Sequence, residues 1–204
     1  MSDLIHESEN GFRTVRKFFD WKLKADSYDS VEKHNKDFTD LLKWDRTDTL
    51  YSFQKIYQIG LQLPKFKEQY SEARKTIKGR VDDRTTQSNL CKLMGSINEE
   101  IEKTGFLSVY FNLGNVIPIW PGGNQDKGAG YDFPETYFND DKNRYWTEKL
   151  LEKYPNACMD DVLNNRIDVG LITTDSDAYF DYLRKRKYII EKRTKTLNAL
   201  LDIT

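Results

Sequence analysis

Asp140-Asp141-Lys142 places two carboxylates beside an ammonium group, a residue set with which metal-dependent nucleases hold a divalent ion and activate water. Asp132 and Glu135 precede it, and Asp160 with Asp161 follow further on. The context of the triplet is an Asn/Asp-rich turn (Asn139-Asp140-Asp141-Lys142-Asn143) rather than an apolar strand, which also suits a solvated helix start. The chain has 2 His, His6 and His34. Neither has Cys or His neighbours at metal-ligand spacing. No G-x-S-x-G elbow, Walker loop or dinucleotide fingerprint occurs. No cofactor and no resident metal are expected on these grounds.

The densest constraint on the backbone lies just before those carboxylates, in Leu113-Gly114-Asn115-Val116-Ile117-Pro118-Ile119-Trp120-Pro121-Gly122-Gly123-Asn124-Gln125-Asp126-Lys127-Gly128. Five of the 11 Gly fall between Gly114 and Gly130, and three of the 5 Pro between Pro118 and Pro134. Glycine permits close approach or positive φ, and proline restricts φ and removes a donor. The result is a shaped loop with an aromatic wall (Trp120, Tyr131, Phe133) and polar reach (Asn115, Asn124, Gln125, Asp126, Lys127). Two readings stand side by side: a surface loop stapling neighbouring elements together, or a binding site.

A second feature is a change of charge sign. Six acids and one base lie between Ala157 and Asp181, and seven bases and one acid between Arg184 and Lys195. Acid at a helix start and base at its end complement the helix dipole. The same bases, Arg184, Lys185 and Lys187 foremost, also suit a rail for a phosphate backbone or an acidic protein surface.

The elements that must position these residues are mostly helical. Apolar spacing predicts helices near 30–43, from Thr47 or Asp48 to Gly60, from Pro64 to Gly79, and from Asp83 to Lys103. The last should carry Leu90, Leu93, Met94, Ile97 and Ile101 on its core stripe. Segment 12–24 has mixed periodicity. Residues 106–111 and 116–120 are short, β-branched and aromatic, and are expected to pair as a hairpin, with Pro118 at an edge or bulge. Helices are expected near 143–153 and 157–164, a short strand at Ile167–Ile172, and a long helix from Asp175 or Ser176 to about Leu201. Its buried stripe should be Phe180, Leu183, Ile190, Leu197 and Leu201. The fold class is therefore α+β and mainly helical, with a small β-hairpin or sheet near 106–120 and a long C-terminal helix. One domain over 1–204 is expected, with a helical part at about 10–104 and the hairpin, loop and later helices at 105–204.

The chain has 204 residues, 38% hydrophobic, 32% charged, with a formal net charge of −1. That balance decides nothing about nucleic acid, so local patches must. With 12 Tyr, 11 Phe and 4 Trp, there is material for a core. The N-terminus reads as lacking a signal peptide. No apolar run approaches the ~20 residues of a membrane helix, so no membrane partner is expected. The 2 Cys, Cys91 and Cys158, read as reduced packing residues, and a cytoplasmic location is expected.

Leu113-Gly114-Asn115, then Pro121-Gly122-Gly123-Asn124 and Lys127, followed by Ile190-x-x-Arg193-Thr194-x-x-Leu197, resemble the C-terminal HNH-type nuclease region of bacterial defence proteins. Similar segments occur in small proteins of bacterial genomes and mobile elements. The likeness covers about thirty residues in two blocks. It implies that Asn115 and Asn124 occupy family positions. The family places its catalytic His before the LGN block, whereas here no His lies between His34 and Leu113. Val116-Ile117-Pro118 also replaces the family's strand. What the resemblance implies is a binding scaffold: a non-enzymatic, anti-CRISPR-like counter-defence inhibitor. Its partner would be a bacterial defence nuclease or ribonucleoprotein, with RNA or DNA backbone as a further contact. A metal-dependent nuclease acting on RNA or DNA is the alternative, and a small-molecule pocket at Trp120 and Tyr131 a third.

The HNH route needs a base beside the scissile phosphate, a contribution of ~10²–10⁴-fold. Purified protein is therefore expected not to cut labelled DNA with Mg²⁺ or Mn²⁺. Metal-dependent cleavage that His34→Ala abolishes would overturn this expectation. Cleavage abolished instead by changes at Asp140 or Asp141 would establish the carboxylate nuclease.

Overall fold

The computed structural model describes residues 14–25, 40, 42–123 and 133–201. The elements are α1 (Val15–Ala25), β1 (Thr47–Thr49), α2 (Phe53–Gln62), α3 (Lys67–Thr76), α4 (Arg84–Cys91), α5 (Gly95–Thr104), β2 (Val116–Pro118), α6 (Pro134–Tyr137), α7 (Arg144–Lys153), α8 (Asp160–Leu163), α9 (Val169–Thr174) and α10 (Ser176–Leu200). Short 3₁₀ turns occupy Pro64–Phe66, Phe106–Val109, Leu113–Asn115 and Pro155–Ala157. The fold is mainly helical α+β, with a two-stranded antiparallel sheet and a long C-terminal helix. Among the described residues no helix is long and apolar enough to cross a membrane. The helix expected near 30–43, with His34, lies almost wholly outside the described residues.

The α10 helix is the spine. Asp175 caps it, accepting from the Ala178 N–H at 2.8 Å, which satisfies one of the open donors of the first turn. It packs on α5, α9 and the turns at Phe106–Val109 and Leu113–Asn115. Phe180, Leu183, Ile190 and Leu197 are buried as their spacing requires, and Leu201 packs at the margin. On the far side of the core, α1 packs on α4 and α5. Phe18 meets Phe53 edge-on at 4.7 Å and Tyr110 at 5.0 Å, the geometry that aromatic quadrupoles favour.

Four expectations are corrected. The strand at Val116–Pro118 pairs with Thr47–Thr49, in register Thr47↔Pro118, Asp48↔Ile117 and Thr49↔Val116. The hairpin with 106–111 does not form. Phe106, Leu107, Val109 and Tyr110 are buried while Ser108 is exposed, which is helical spacing rather than alternation. Local bonds from Ser108 Oγ to the Gly105 carbonyl (2.7 Å) and from the Phe106 N–H to Thr104 Oγ1 (3.2 Å) hold that turn. Thr47 and Asp48 accordingly belong to a strand, and the helix begins only at Phe53.

The helix expected from Asp83 to Lys103 is two. The chain turns at Lys92–Met94, and Asn98 Nδ2 donates to the Cys91 carbonyl at 2.7 Å. The turn leaves Leu93 exposed while Leu90, Met94, Ile97 and Ile101 remain in the core. The strand expected at Ile167–Ile172 is helix α9, because Asp168 accepts from the Leu171 N–H at 3.0 Å and starts a helix there.

Where the Leu113–Asn115 turn crosses α10, a Cβ on Gly114 would lie 2.1 Å from the Ile190 carbonyl oxygen and 2.6 Å from the Thr194 nitrogen. Backbone cannot retreat as a side chain can. Gly114→Ala is therefore expected to destabilise by ~2–3 kcal/mol or more, read as a lowered urea midpoint. Gly95→Ala, where a Cβ meets nothing within 4 Å, is the matched control and is expected to be neutral or mildly stabilising.

Candidate functional site

The two sequence blocks that carry the resemblance meet in space. Arg193, buried on α10, donates from Nε to the Gly114 carbonyl (2.8 Å) and from Nη2 to the Val116 carbonyl (2.8 Å). Its Nη1 donates to the carbonyls of Ala157 (2.5 Å) and Cys158. Thr194 Oγ1 accepts from the Gly114 N–H at 3.0 Å and donates to the Ile190 carbonyl at 2.7 Å. Burial pulls the Arg193 guanidinium down to about 10, so it stays charged at neutral pH, held by carbonyl dipoles rather than by a carboxylate.

Asn115 is spent in the same way. Its Oδ1 accepts from the Tyr51 N–H at 2.9 Å and its Nδ2 donates to the Tyr110 carbonyl at 2.8 Å. Its backbone carbonyl accepts from the Leu50 N–H at 2.7 Å. The side chain is 2% exposed, which places it in the fold's interior bonding rather than on a surface. Asn124, Asp126, Lys127 and Tyr131 lie outside the described residues.

The basic rail is divided by the helix period. Arg186 and Arg193 point into the core. Lys185 pairs with Asp181 at 2.8 Å, Lys187 with Glu191 at 3.4 Å, and Lys192 with Asp161 at 2.8 Å. Exposed Arg184 borders an open groove with Lys185 and Tyr188. Surface pairs of this kind are screened by solvent and add little stability.

Arg186 meets Glu135 in a fully buried ion pair. The Tyr51 hydroxyl donates to Glu135 Oε1 at 2.7 Å, and the Tyr182 hydroxyl lies 3.5 Å from Oε2. The guanidinium carbon stands 4.3 Å from the Tyr182 ring centroid and 5.4 Å from that of Tyr51. Burial opposes the charge on Arg186, but Tyr51, Glu135 and Tyr182 together outweigh it and hold its pKa above the usual range. Burial, then the Glu135 charge, pushes the Tyr51 hydroxyl well up, so Tyr51 remains a donor. Glu135 is thereby committed to structure.

Asp140 and Asp141 are also occupied, and Asp132 lies outside the described residues. Asp140 Oδ1 accepts from the Lys142 N–H at 2.9 Å, closing a turn, and exposed Asp141 pairs with Arg144. Among the described residues no group of three or more His, Cys, Asp or Glu is placed to hold a metal ion.

Trp120 leads to a further open face. Its indole is 9% exposed and stacks on Tyr137 (centroids 5.7 Å, planes at 12°) and on Trp146 (6.4 Å, 21°). Phe138 meets it edge-on at 5.8 Å. A Cβ on Gly123 would lie 2.8 Å from the indole nitrogen, so glycine lets the chain turn back over the ring. The Gly123 carbonyl accepts from the Tyr137 hydroxyl at 3.0 Å, which clamps the turn to α6.

The stack opens into a cleft of about 190 Å³. Asp45, Arg46 and residues 119–121 form one wall, tied by the Ile119 N–H to the Arg46 carbonyl at 3.2 Å. The face of α7 with Trp146, Lys149 and Lys153 forms the other. Asp45 bridges the walls: its N–H donates to the Tyr154 hydroxyl at 3.0 Å, and its carboxylate pairs with Lys153. Lys149 pairs with Glu152 at 2.6 Å, and Arg46 makes no ion pair with a described residue. Trp146 is 49% exposed. The site is thus an aromatic step with cations on both sides.

Sequence reasoning identified Trp120 here but missed Arg46, Trp146, Lys149 and Lys153. The last three were visible as i, i+3 and i+7 on one helix face. Nothing in the sequence announced Arg46. No family model, curated protein or solved structure matches the chain.

The two tryptophans should separate by role. Trp120→Ala is expected to cost ~3–5 kcal/mol of stability. Trp146→Ala, on the outer rung, should change the unfolding midpoint by no more than ~0.5 kcal/mol in equivalent stability. Equal losses in urea titrations of the two variants would mean that Trp146 is part of the core.

Proposed function

We propose that this chain is a non-enzymatic binding protein of host–phage or plasmid conflict, an anti-CRISPR-like inhibitor that engages a defence nuclease or its nucleic-acid complex through the aromatic cleft. The observation that carries the mode of contact is the Tyr137–Trp120–Trp146 stack ending in a half-exposed indole beside Arg46. An indole held flat by rings beneath it presents a π-face at little further ordering cost. Base stacking on such a ring is worth ~1–3 kcal/mol per base, and adjacent cations favour phosphate.

The conflict setting is drawn from the resemblance of the LGN and I-x-x-R-T-x-x-L blocks to a defence-nuclease region. In this chain the residues of those blocks are engaged in holding α10 to the turn at Leu113–Asn115. Their polar groups bond to one another and to backbone, which suits a scaffold whose contact surface lies elsewhere.

The test is affinity capture from a bacterial lysate by wild type and by the Trp146→Ala/Arg46→Ala double variant, each with and without ribonuclease. Wild type is expected to retain a nuclease-containing complex and the double variant to lose it by about tenfold or more. Loss of capture after ribonuclease would assign the contact to the bound nucleic acid. Equal capture by wild type and a folded double variant would refute the cleft as the binding surface.

A further inference from the structure

The opposite flank of α7 carries a second recess, distinct from the aromatic cleft and chemically unlike it. It has a volume of about 490 Å³ and lies between α6, the start of α7 and the turn that follows α8. Thr136, Asn139, Arg144, Asn165 and Arg166 line it, together with the buried Glu135. Its size falls within the range of small-molecule sites, ~300–1,000 Å³.

The wall is held in place. Asn139 Nδ2 donates both to the Glu135 carbonyl at 2.8 Å and to the Leu163 carbonyl at 3.0 Å, bridging α6 to the end of α8. Asn143 Nδ2 donates to the Tyr137 carbonyl at 2.9 Å, and Thr147 Oγ1 to the Phe138 carbonyl at 3.0 Å, so α7 is bound to the same short helix. These bonds join α6, α7 and the end of α8 into one frame.

Charge inside the recess does not cancel. The Glu135 carboxylate is neutralised by Arg186 and bonded by Tyr51. Asp141 offsets Arg144, but that pair is solvent-exposed, with side-chain exposures of 84% and 65%, and is held only loosely. Arg166 is exposed and makes no ion pair with a described residue. The Thr136 hydroxyl and the Asn165 side-chain amide likewise make no hydrogen bond with one. Two guanidinium groups, a hydroxyl and an amide thus face one recess with a surplus positive charge. Guanidinium forks match the oxygen spacing of phosphate and can donate two parallel bonds to it. Leu163 and Ile167 add an apolar margin that a bare ion would not use.

We propose that this recess binds a small phosphate-bearing ligand, with its phosphate group between Arg166 and Arg144. The proposal does not depend on the aromatic cleft or on the partner assigned to it.

The test is isothermal titration of the full chain with AMP, inorganic phosphate and adenosine, using wild type, Arg166→Gln and Arg144→Gln. Saturable binding of AMP or phosphate by wild type is expected, with adenosine silent. Each arginine change should weaken binding of inorganic phosphate by about tenfold or more, with an unchanged thermal melt. AMP tighter than phosphate would assign a phosphomonoester with an organic tail. Equal affinities would assign the oxyanion alone. The proposal is overturned if neither phosphate probe binds saturably, if adenosine binds as well as AMP, or if folded Arg166→Gln binds as wild type.

Discussion

The rest of the structure depends on one close approach: the backbone of Leu113–Asn115 lying directly on the backbone of α10. Only glycine at 114 permits it. Contact at this range leaves no room for water to satisfy the polar groups of the turn, and each such group left unbonded would cost ~1–3 kcal/mol. Arg193 and Thr194 supply the missing partners. Arg193 reaches the carbonyls of Gly114 and Val116 on one side and of Ala157 and Cys158 on the other. One side chain therefore joins α10, β2 and the Pro155–Ala157 turn. Lysine could not replace it, because a single ammonium cannot reach four carbonyls arranged around a plane.

A second buried cation does comparable work seven residues, about two turns, earlier along α10. Arg186 anchors Glu135, and with it the beginning of α6, against Tyr51 and Tyr182. Such a pair adds little net stability over an apolar replacement, but breaking it by removing one partner is costly, ~3–5 kcal/mol. Its effect is positional. Two to four residues after Glu135 come Tyr137 and Phe138, which support Trp120, and Asn139, which frames the polar recess. The ion pair thus sets the location of both surfaces discussed above.

Those surfaces flank α7 and differ in kind. One offers a rigid π-face with scattered cations, suited to large, flat or polyanionic partners. The other is recessed and polar, suited to a small anion. The carboxylates nearest them are engaged in a turn, in surface pairs or in the buried pair with Arg186. The frames of both are fixed by the fold, through the Trp120 stack at one and the bonds of Asn139 at the other.

Much of the fold was legible in the sequence because helices are written in local periodicity. The course of α10, its Asp175 cap and its apolar stripe follow from spacing alone, as do α3 and α7. The strand at Val116–Pro118 was legible from its β-branched residues, but its partner was not: pairing with Thr47–Thr49 joins segments some seventy residues apart, which no local pattern encodes. Trp120 was singled out by the glycines and prolines around it, whereas Arg46 reaches the same cleft only through that sheet. The bases from Arg184 to Lys195 show the limit most clearly. Composition presents them as one charged run, and the period of the helix alone gives their directions. Which of those directions faces protein and which faces water was decided by tertiary packing, because a buried guanidinium is stable only where carbonyls or a carboxylate from distant segments converge on it.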